Sequence, residues 1–526
     1  MSDQTIAVTV FVACFTLVTV LGFVAARWRR ADLTNIQEWG LAGRRFGTAI
    51  TWFLIGGDIY TAYTFIAVPA LVFGSGAPGF FALPYTIVAY PFFFLIAPRL
   101  WNVCHRHGFV TAADFVAGRH GNRTLALAIA VTGILATLPY IALQLVGMEV
   151  VIQSLGFPAT GLVGDVPLLI AFAILAAYTY TSGLRAPALI ALVKDAMIYI
   201  TIIVAIVVIP IKLGGFAHIF ATAAASFAAR PPTAPHGSVI LAPGGYWAYS
   251  TLALGSALAL FLYPHAVTGI LAASAGETVR RNAILLPAYS LALGILALFG
   301  YMAIAANLHV TAPNLAVPRL LGAMFPSWFV GFAFAAIAIG ALVPAAIMSI
   351  AAANLWTRNI YKPYIKPSAS DAEEGRQAKL TSLVVKVGAL GFVVFLPTQY
   401  AINLQLLGGV WVLQTLPAVA LGLYSRRLHD AALLWGWLAG MVLGTALALA
   451  GGLKATFPIP LGGLTVTAYI AAEALIVNLV VAVVLTPLFD RAGVRRGVDA
   501  TAAADYEDPP ATRTQGRPST PAAALE

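Results

Sequence analysis

The chain has 526 residues, of which 60% are hydrophobic and only 10% charged, and its mean hydropathy is +0.89. Those proportions exclude a water-exposed globular fold, which cannot hide so much apolar surface. The formal net charge of +10 does not mark a nucleic-acid binder, because Lys and Arg fall between apolar runs rather than on a polar domain.

Runs of about 20 apolar residues, enough for a helix to cross about 30 Å of hydrocarbon, recur along the chain. The first, 6–28, lacks a basic leading region and is followed by Arg29 and Arg30, so it reads as a retained helix rather than a cleaved signal. Twelve more follow at 48–74, 79–99, 124–151, 166–182, 187–212, 247–273, 282–306, 328–356, 381–398, 402–424, 432–451 and 464–489. The expectation is an all-α membrane protein of about 13 transmembrane helices. Cys14 and Cys104 fall in the first run and in a basic loop, and they frame neither a disulfide nor a metal site.

Alternate loops carry the basic residues. They are 29–47 (Arg29, Arg30, Arg44, Arg45), 100–123 (Arg106, Arg119, Arg123), the Arg185 turn, 274–281 (Arg280, Arg281), 357–380 (Arg358, Lys362, Lys366, Arg376, Lys379) and 425–431 (Arg426, Arg427), joined by Arg491, Arg495 and Arg496. The positive-inside rule then places the N-terminus outside and the C-terminus in the cytoplasm, as an odd number of spans requires. After about Val498 the composition turns to Ala, Thr, Pro, Asp and Glu, so 498–526 reads as a disordered cytoplasmic tail beyond a transmembrane domain of 1–497. No P-loop, dinucleotide-binding glycine fingerprint, HExxH or nucleophile elbow occurs, so no enzyme, cofactor or metal centre is expected.

Ionisable groups at bilayer depth are few: Asp58, Glu149, Lys194, Asp195, His265 and Glu473. Such groups are costly and read as functional by default, although Glu149 and Glu473 fit interfacial or interhelical roles better. Asp58 follows Gly56 and Gly57, and His265 follows Pro264, each in the middle of an apolar run where Gly or Pro weakens helical bonding. Two discontinuous helices are therefore expected. Their spans are five apart, matching two inverted five-helix repeats at about 48–212 and 247–424, with 6–28, 432–451 and 464–489 flanking them.

The order and spacing of several motifs resemble the sodium:solute symporter family. They are Leu-Ala-Gly-Arg-Arg-Phe-Gly (41–47), Thr-Ala-Ala-Asp-Phe-Val-Ala-Gly-Arg-His-Gly (111–121), Tyr-Thr-Tyr-Thr-Ser-Gly-Leu-Arg-Ala (178–186) and Asn-Ile-Tyr-Lys (359–362). The resemblance implies the LeuT fold with one leading and two trailing helices, in the bacterial cytoplasmic (inner) membrane. Tyr-Pro-His-Ala-Val-Thr-Gly (263–269) and Val-Lys-Asp (193–195) look most like the bacterial monocarboxylate permease branch. That implies import of a small carboxylate such as lactate, pyruvate, acetate or propionate, with the lipid bilayer as surroundings and no obligate protein partner.

Carried over position by position, half of the family's sodium site is missing. Gly56 and Ile59 occupy the positions whose carbonyls bind the ion, and Asp58 stands beside them; Gly340, Val343 and Pro344 occupy the ninth-span positions, so both family hydroxyl ligands are absent. Ala191 stands at a usual Asp position and Lys194 at a usual Gln position. The resemblance thus implies that the Lys194 ammonium replaces sodium, donating to the Gly56 and Ile59 carbonyls in a network with Asp58, and that the coupling ion is a proton. For the substrate, Tyr60, Thr61, Tyr63 and Thr64 follow the first break, and Tyr263, His265 and Thr268 surround the second. His265 suits a donor to a carboxylate, and histidine's ordinary titration near pH 6.5 suits a proton carrier. Sodium-coupled uptake of an amino acid, vitamin or sugar is the alternative. A channel or a transport-like sensor fits less well.

Overall fold

Inside hydrocarbon every backbone polar group needs a partner from the chain itself, and here helices supply nearly all of them. A computed structural model describes residues 2–28, 32–158, 162–231, 237–395 and 401–508. The first helices are α1 (Asp3–Val24), α2 (Ile36–Leu41), α3 (Thr48–Gly57), α4 (Val68–Ser75), α5 (Ala82–His107), α6 (Ala112–His120), α7 (Arg123–Ser154), α8 (Leu162–Ser182), α9 (Arg185–Lys212) and α10 (Phe216–Ala228). They are followed by α11 (Tyr246–Leu260), α12 (Pro264–Leu271), α13 (Gly276–Leu285), α14 (Pro287–Ala297), α15 (Phe299–Ala305), α16 (Ala316–Met324) and α17 (Ser327–Trp356). The last are α18 (Asp371–Phe395), α19 (Ile402–Val412), α20 (Asp430–Ala450) and α21 (Ile470–Arg491).

Each apolar run read from the sequence contains helix. Among the described residues nine helices are long and apolar enough to cross a membrane, or ten if the bent pair ending in α11 and α12 is one span. The expectation of an all-α chain needs one correction. Strands β1 (Thr456–Leu461) and β2 (Leu464–Tyr469) form an antiparallel hairpin between α20 and α21. Gly462 and Gly463 turn it with φ of +54° and +94°, so the last span starts at α21 rather than at 464. Cys104 also moves, from a loop to the buried last turns of α5.

α17 runs through the centre, buried over nearly its whole length, with α1, α7, α9, α12 and α18 packed on it. Its Ala-rich sequence lets neighbouring backbones approach closely, as small residues do in membrane bundles. At the α1 crossing, a side chain at Gly331 would overlap the Ala7 carbonyl.

The loops read as the basic set meet at one end of the bundle. Arg185 and Arg45 both pair with Glu38, Arg44 donates to the Phe109 carbonyl (2.5 Å), Thr111 bonds Asn359, Asn122 bonds Asp430, and Tyr364 donates to the Arg123 carbonyl. At this end the backbones of Phe46, just before α3, and Ala273, just after α12, form a parallel bridge. Phe46 N–H donates to the Ala272 carbonyl (3.2 Å) and Ser274 N–H to the Phe46 carbonyl (2.9 Å). Residues 498–508, expected in a disordered tail, instead return along the same end and make side-chain bonds there; 509–526 lie outside the described residues.

Candidate functional site

Both expected breaks are present. α3 stops at Gly57, residues 58–62 form an irregular turn, and a π-helical segment (Tyr63–Ala67) leads into α4. α11 and α12 meet at 44° across Phe261–Tyr263, and Pro264, which lacks an N–H, opens α12. The turn at the first break is held locally. Ile59 N–H donates to the Gly56 carbonyl (2.9 Å), the Thr64 hydroxyl to the Ile59 carbonyl, and Tyr63 N–H to the Thr61 hydroxyl (3.0 Å). From α7, Gln144 accepts the Ala62 N–H (3.2 Å).

Lys194, on α9, is fully buried against this turn, but one residue away from the expected register. Its ammonium donates to the carbonyls of Gly57 (2.5 Å) and Tyr60 (3.2 Å), while those of Gly56 and Ile59 accept bonds from within the turn. The counter-ion also differs from expectation. Asp195 Oδ1 lies 2.8 Å from the ammonium, both side chains are fully buried, and Tyr289 on α14 donates to Asp195 Oδ2 (2.8 Å). Two carbonyls thus accept from the ammonium, and the Asp195 carboxylate lies beside it as its counter-charge. The double glycine makes room: a side chain at Gly56 would overlap the Tyr289 ring, and one at Gly57 would come to 3.0 Å from Lys194 Nζ. From α17, Gly340 faces the same turn, with its nearest outside atoms Ile198 Cδ1 and the Tyr60 carbonyl oxygen, while Val343 and Pro344 are buried and supply no side-chain oxygen.

Asp58 does not join Lys194. Its Oδ2 sits 3.1 Å from His265 Nε2, so a polar contact joins the two breaks. The remaining atoms of the pair, Asp58 Oδ1 and His265 Nδ1, are buried without a hydrogen-bond partner, as are the Tyr63 hydroxyl and Gln405 Oε1. Buried polar atoms rarely stay orphaned, and such a group of them marks a place for a polar ligand. Tyr140 and Tyr263 wall it, each with its ring centre 5.3 Å from that of His265. The Tyr263 hydroxyl donates to the Gln405 carbonyl (2.8 Å), and the Tyr63 ring stands edge-on to Tyr85.

The other expected substrate residues separate by role. Tyr60 turns away, its hydroxyl on the Tyr289 carbonyl (2.9 Å) and its ring against Tyr199 and Tyr289. Thr61 and Thr64 hold the turn. Thr268 lines a narrow crevice with Thr111, Gly133, Pro264, Leu355 and Thr415, on the route from the second break to the basic end. Sequence reading missed Asp195 as a partner, and also Tyr289, Tyr140 and Gln405. The adjacent opposite charges of Lys194 and Asp195 inside one apolar run were the available signal.

Two helices interrupted at mid-span, joined through their breaks and enclosing orphaned polar atoms, define a secondary transporter of the LeuT-like architecture. Residues 39–440 match the sequence profile of the Sodium:solute symporter family, and the chain belongs to that family. It is therefore a multi-pass membrane symporter for a small solute, not an enzyme. It is 58% identical to a monocarboxylate transport permease protein of Rhizobium johnstonii over 92% of this chain and 96% of that one. It is 33% identical to the uncharacterized symporter YodF of Bacillus subtilis, over 90% of this chain and 91% of that one. A solved Na+-coupled sialic acid symporter in a substrate-bound outward-open state shares the fold, with a TM-score of 0.71 at 14% identity over 92% of this chain and 98% of that one.

Proposed function

We propose that this symporter imports small monocarboxylates of the lactate, pyruvate, acetate or propionate class across the bacterial cytoplasmic membrane, driven by protons. The observation that carries the coupling is Lys194. An ammonium already bonded to the Gly57 and Tyr60 carbonyls leaves a cation little to gain there, and Val343 and Pro344 add no ligand. The substrate class is supported by the name of the Rhizobium johnstonii relative and by the chemistry around the breaks: aromatic walls for a short tail and His265 as donor to a carboxylate.

Asp58 links the two fluxes. A substrate carboxylate about 4 Å from an ionised Asp58 is repelled by about 4 kcal/mol at an effective dielectric of 20. One proton taken up by the Asp58–His265 pair removes that repulsion, so acid and proton enter together. In this reading the chain has thirteen spans, two inverted repeats at about 48–212 and 247–424, the N-terminus outside, and the basic end in the cytoplasm.

The test is uptake of labelled pyruvate and lactate by proteoliposomes under proton and sodium gradients imposed separately. Accumulation on the proton gradient alone is expected. A strict sodium requirement overturns the lysine assignment and favours sodium coupling, as in the Na+-coupled sialic acid symporter of the same fold.

A further inference from the structure

The basic end is tied in two ways. Besides the Phe46–Ala273 bridge, residues 499–508 lie across it as a strap with contacts on two groups of helices. On one side stand α5 and α13, which are attached to the broken helices: Trp101 of α5 donates to the Ala273 carbonyl (2.9 Å), and α13 starts five residues after α12. Asp508 clasps these two, with Oδ1 accepting from Asn102 of α5 (3.0 Å) and Oδ2 from Arg280 of α13 (2.5 Å). Arg106 donates to the carbonyls of Ala504 and Glu507, and His107 Nε2 lies 2.8 Å from Asp505 Oδ2.

On the other side stands α6, which rides with the central α17 through Asn359: Thr111 bonds Asn359 Oδ1 (2.8 Å), and Asn359 donates to Asp114 (2.7 Å). The strap grips this side through Ala500 N–H on the Gly118 carbonyl (2.8 Å) and Asp499 on Arg119 (2.7 Å). Between the two grips Tyr506 is almost fully buried, with the Arg99 and Arg119 guanidinium groups over its ring and its hydroxyl 2.7 Å from the Thr501 hydroxyl. A segment with one aromatic anchor and charged ends matched to basic loops is docked, not loosely draped.

Transport in such folds proceeds by one bundle rocking against the other about the central site. A strap gripping both bundles must let go of one before the crevice through Thr268, Leu355 and Thr111 can widen. Resting on the cytoplasmic assignment made above, we propose that residues 499–508 are an autoinhibitory latch: docked, they hold the cytoplasmic gate shut, and their release speeds opening.

The test places a single reporter cysteine in the crevice, Leu355→Cys in the full chain with Cys14→Ser and Cys104→Ser, and follows labelling by a membrane-impermeant maleimide. Inside-out and right-side-out vesicles are both used. Labelling in inside-out vesicles is expected to rise at least about threefold in Tyr506→Ala and in Asp508→Asn. The swap Asp508→Arg with Arg280→Asp should bring it back toward the starting rate. Unchanged labelling in well-folded Asp508→Asn and Tyr506→Ala proteins overturns the latch. If Tyr506→Ala fails to fold, Asp508→Asn decides alone, since its side chain is partly exposed. Labelling confined to right-side-out vesicles instead overturns the membrane orientation, so the two failures are told apart.

Discussion

Replacing Lys194 by Met keeps the bulk of the side chain and deletes its charge, and the surroundings set the expected cost. The Gly57 and Tyr60 carbonyls lose their buried donor, at about 1–3 kcal/mol each, and Asp195 loses its counter-ion, a change that costs about 3–5 kcal/mol in buried pairs. The sum approaches the whole stability of an ordinary domain, so Lys194→Met is expected to melt far below the parent in detergent. Adding Asp195→Asn removes the stranded charge and should recover about 3–5 kcal/mol, a coupling that a double-mutant cycle isolates. The double variant is then the informative one for transport. It should still bind pyruvate, because Asp58, His265 and the tyrosine walls are untouched, but it should not accumulate pyruvate on a proton gradient in proteoliposomes. Gradient-driven accumulation with the parent's pH dependence in Lys194→Met refutes the reasoning, as does a double variant no more stable than the single one.

His265→Asn and Asp58→Asn each remove one partner of the contact between the breaks and are expected to lower kcat/KM for pyruvate uptake at least about tenfold. Gly56→Ala drives a methyl group into the Tyr289 ring and should destabilise by about 1–3 kcal/mol in a thermal-shift assay; adding Tyr289→Leu should relieve the overlap while still removing the Asp195 donor. Burial holds His120 of α6 below the ordinary histidine range, helped by Arg119 and Arg426 and opposed by the Ala418 carbonyl and Asp430. A depressed value contributes stability above histidine's ordinary pKa that is lost as pH falls through the folded one. Melting followed downward from about pH 7.5 should therefore drop below about 6.5 in the parent and drop less in His120→Gln.

Legibility in the sequence followed the physics of each feature. The breaks were readable because Gly56-Gly57 and Pro264 weaken helices wherever they stand, and Lys194 because an ammonium inside an apolar run demands partners. Which carbonyls it meets was not readable. Family positions point to Gly56 and Ile59, whereas the ammonium meets Gly57 and Tyr60, a register set by the path of the turn and not by residue type. The same holds for Asp58, whose choice of His265 over Lys194 depends on how α12 lies against α3. The β-hairpin did announce itself: Gly462-Gly463 between short apolar and Thr-rich segments is hairpin chemistry, overridden by the apolar run read from 464 onward. Residues 498–508 were misread because composition measures a segment's ability to build its own core, not its ability to dock on a neighbour's. Tyr506 needs no core beyond the one α5 and α6 lend it.

Phe46 and Ala273 form a short parallel bridge at the basic end. It yokes the ends of both broken helices through two backbone hydrogen bonds, each worth about 1 kcal/mol net. While it lasts, α3 and α12 are tied at that end, and a displacement of one is passed to the other. Two such bonds, about 2 kcal/mol together, favour joint over separate movement of the two ends by about thirtyfold, a bias and not a lock.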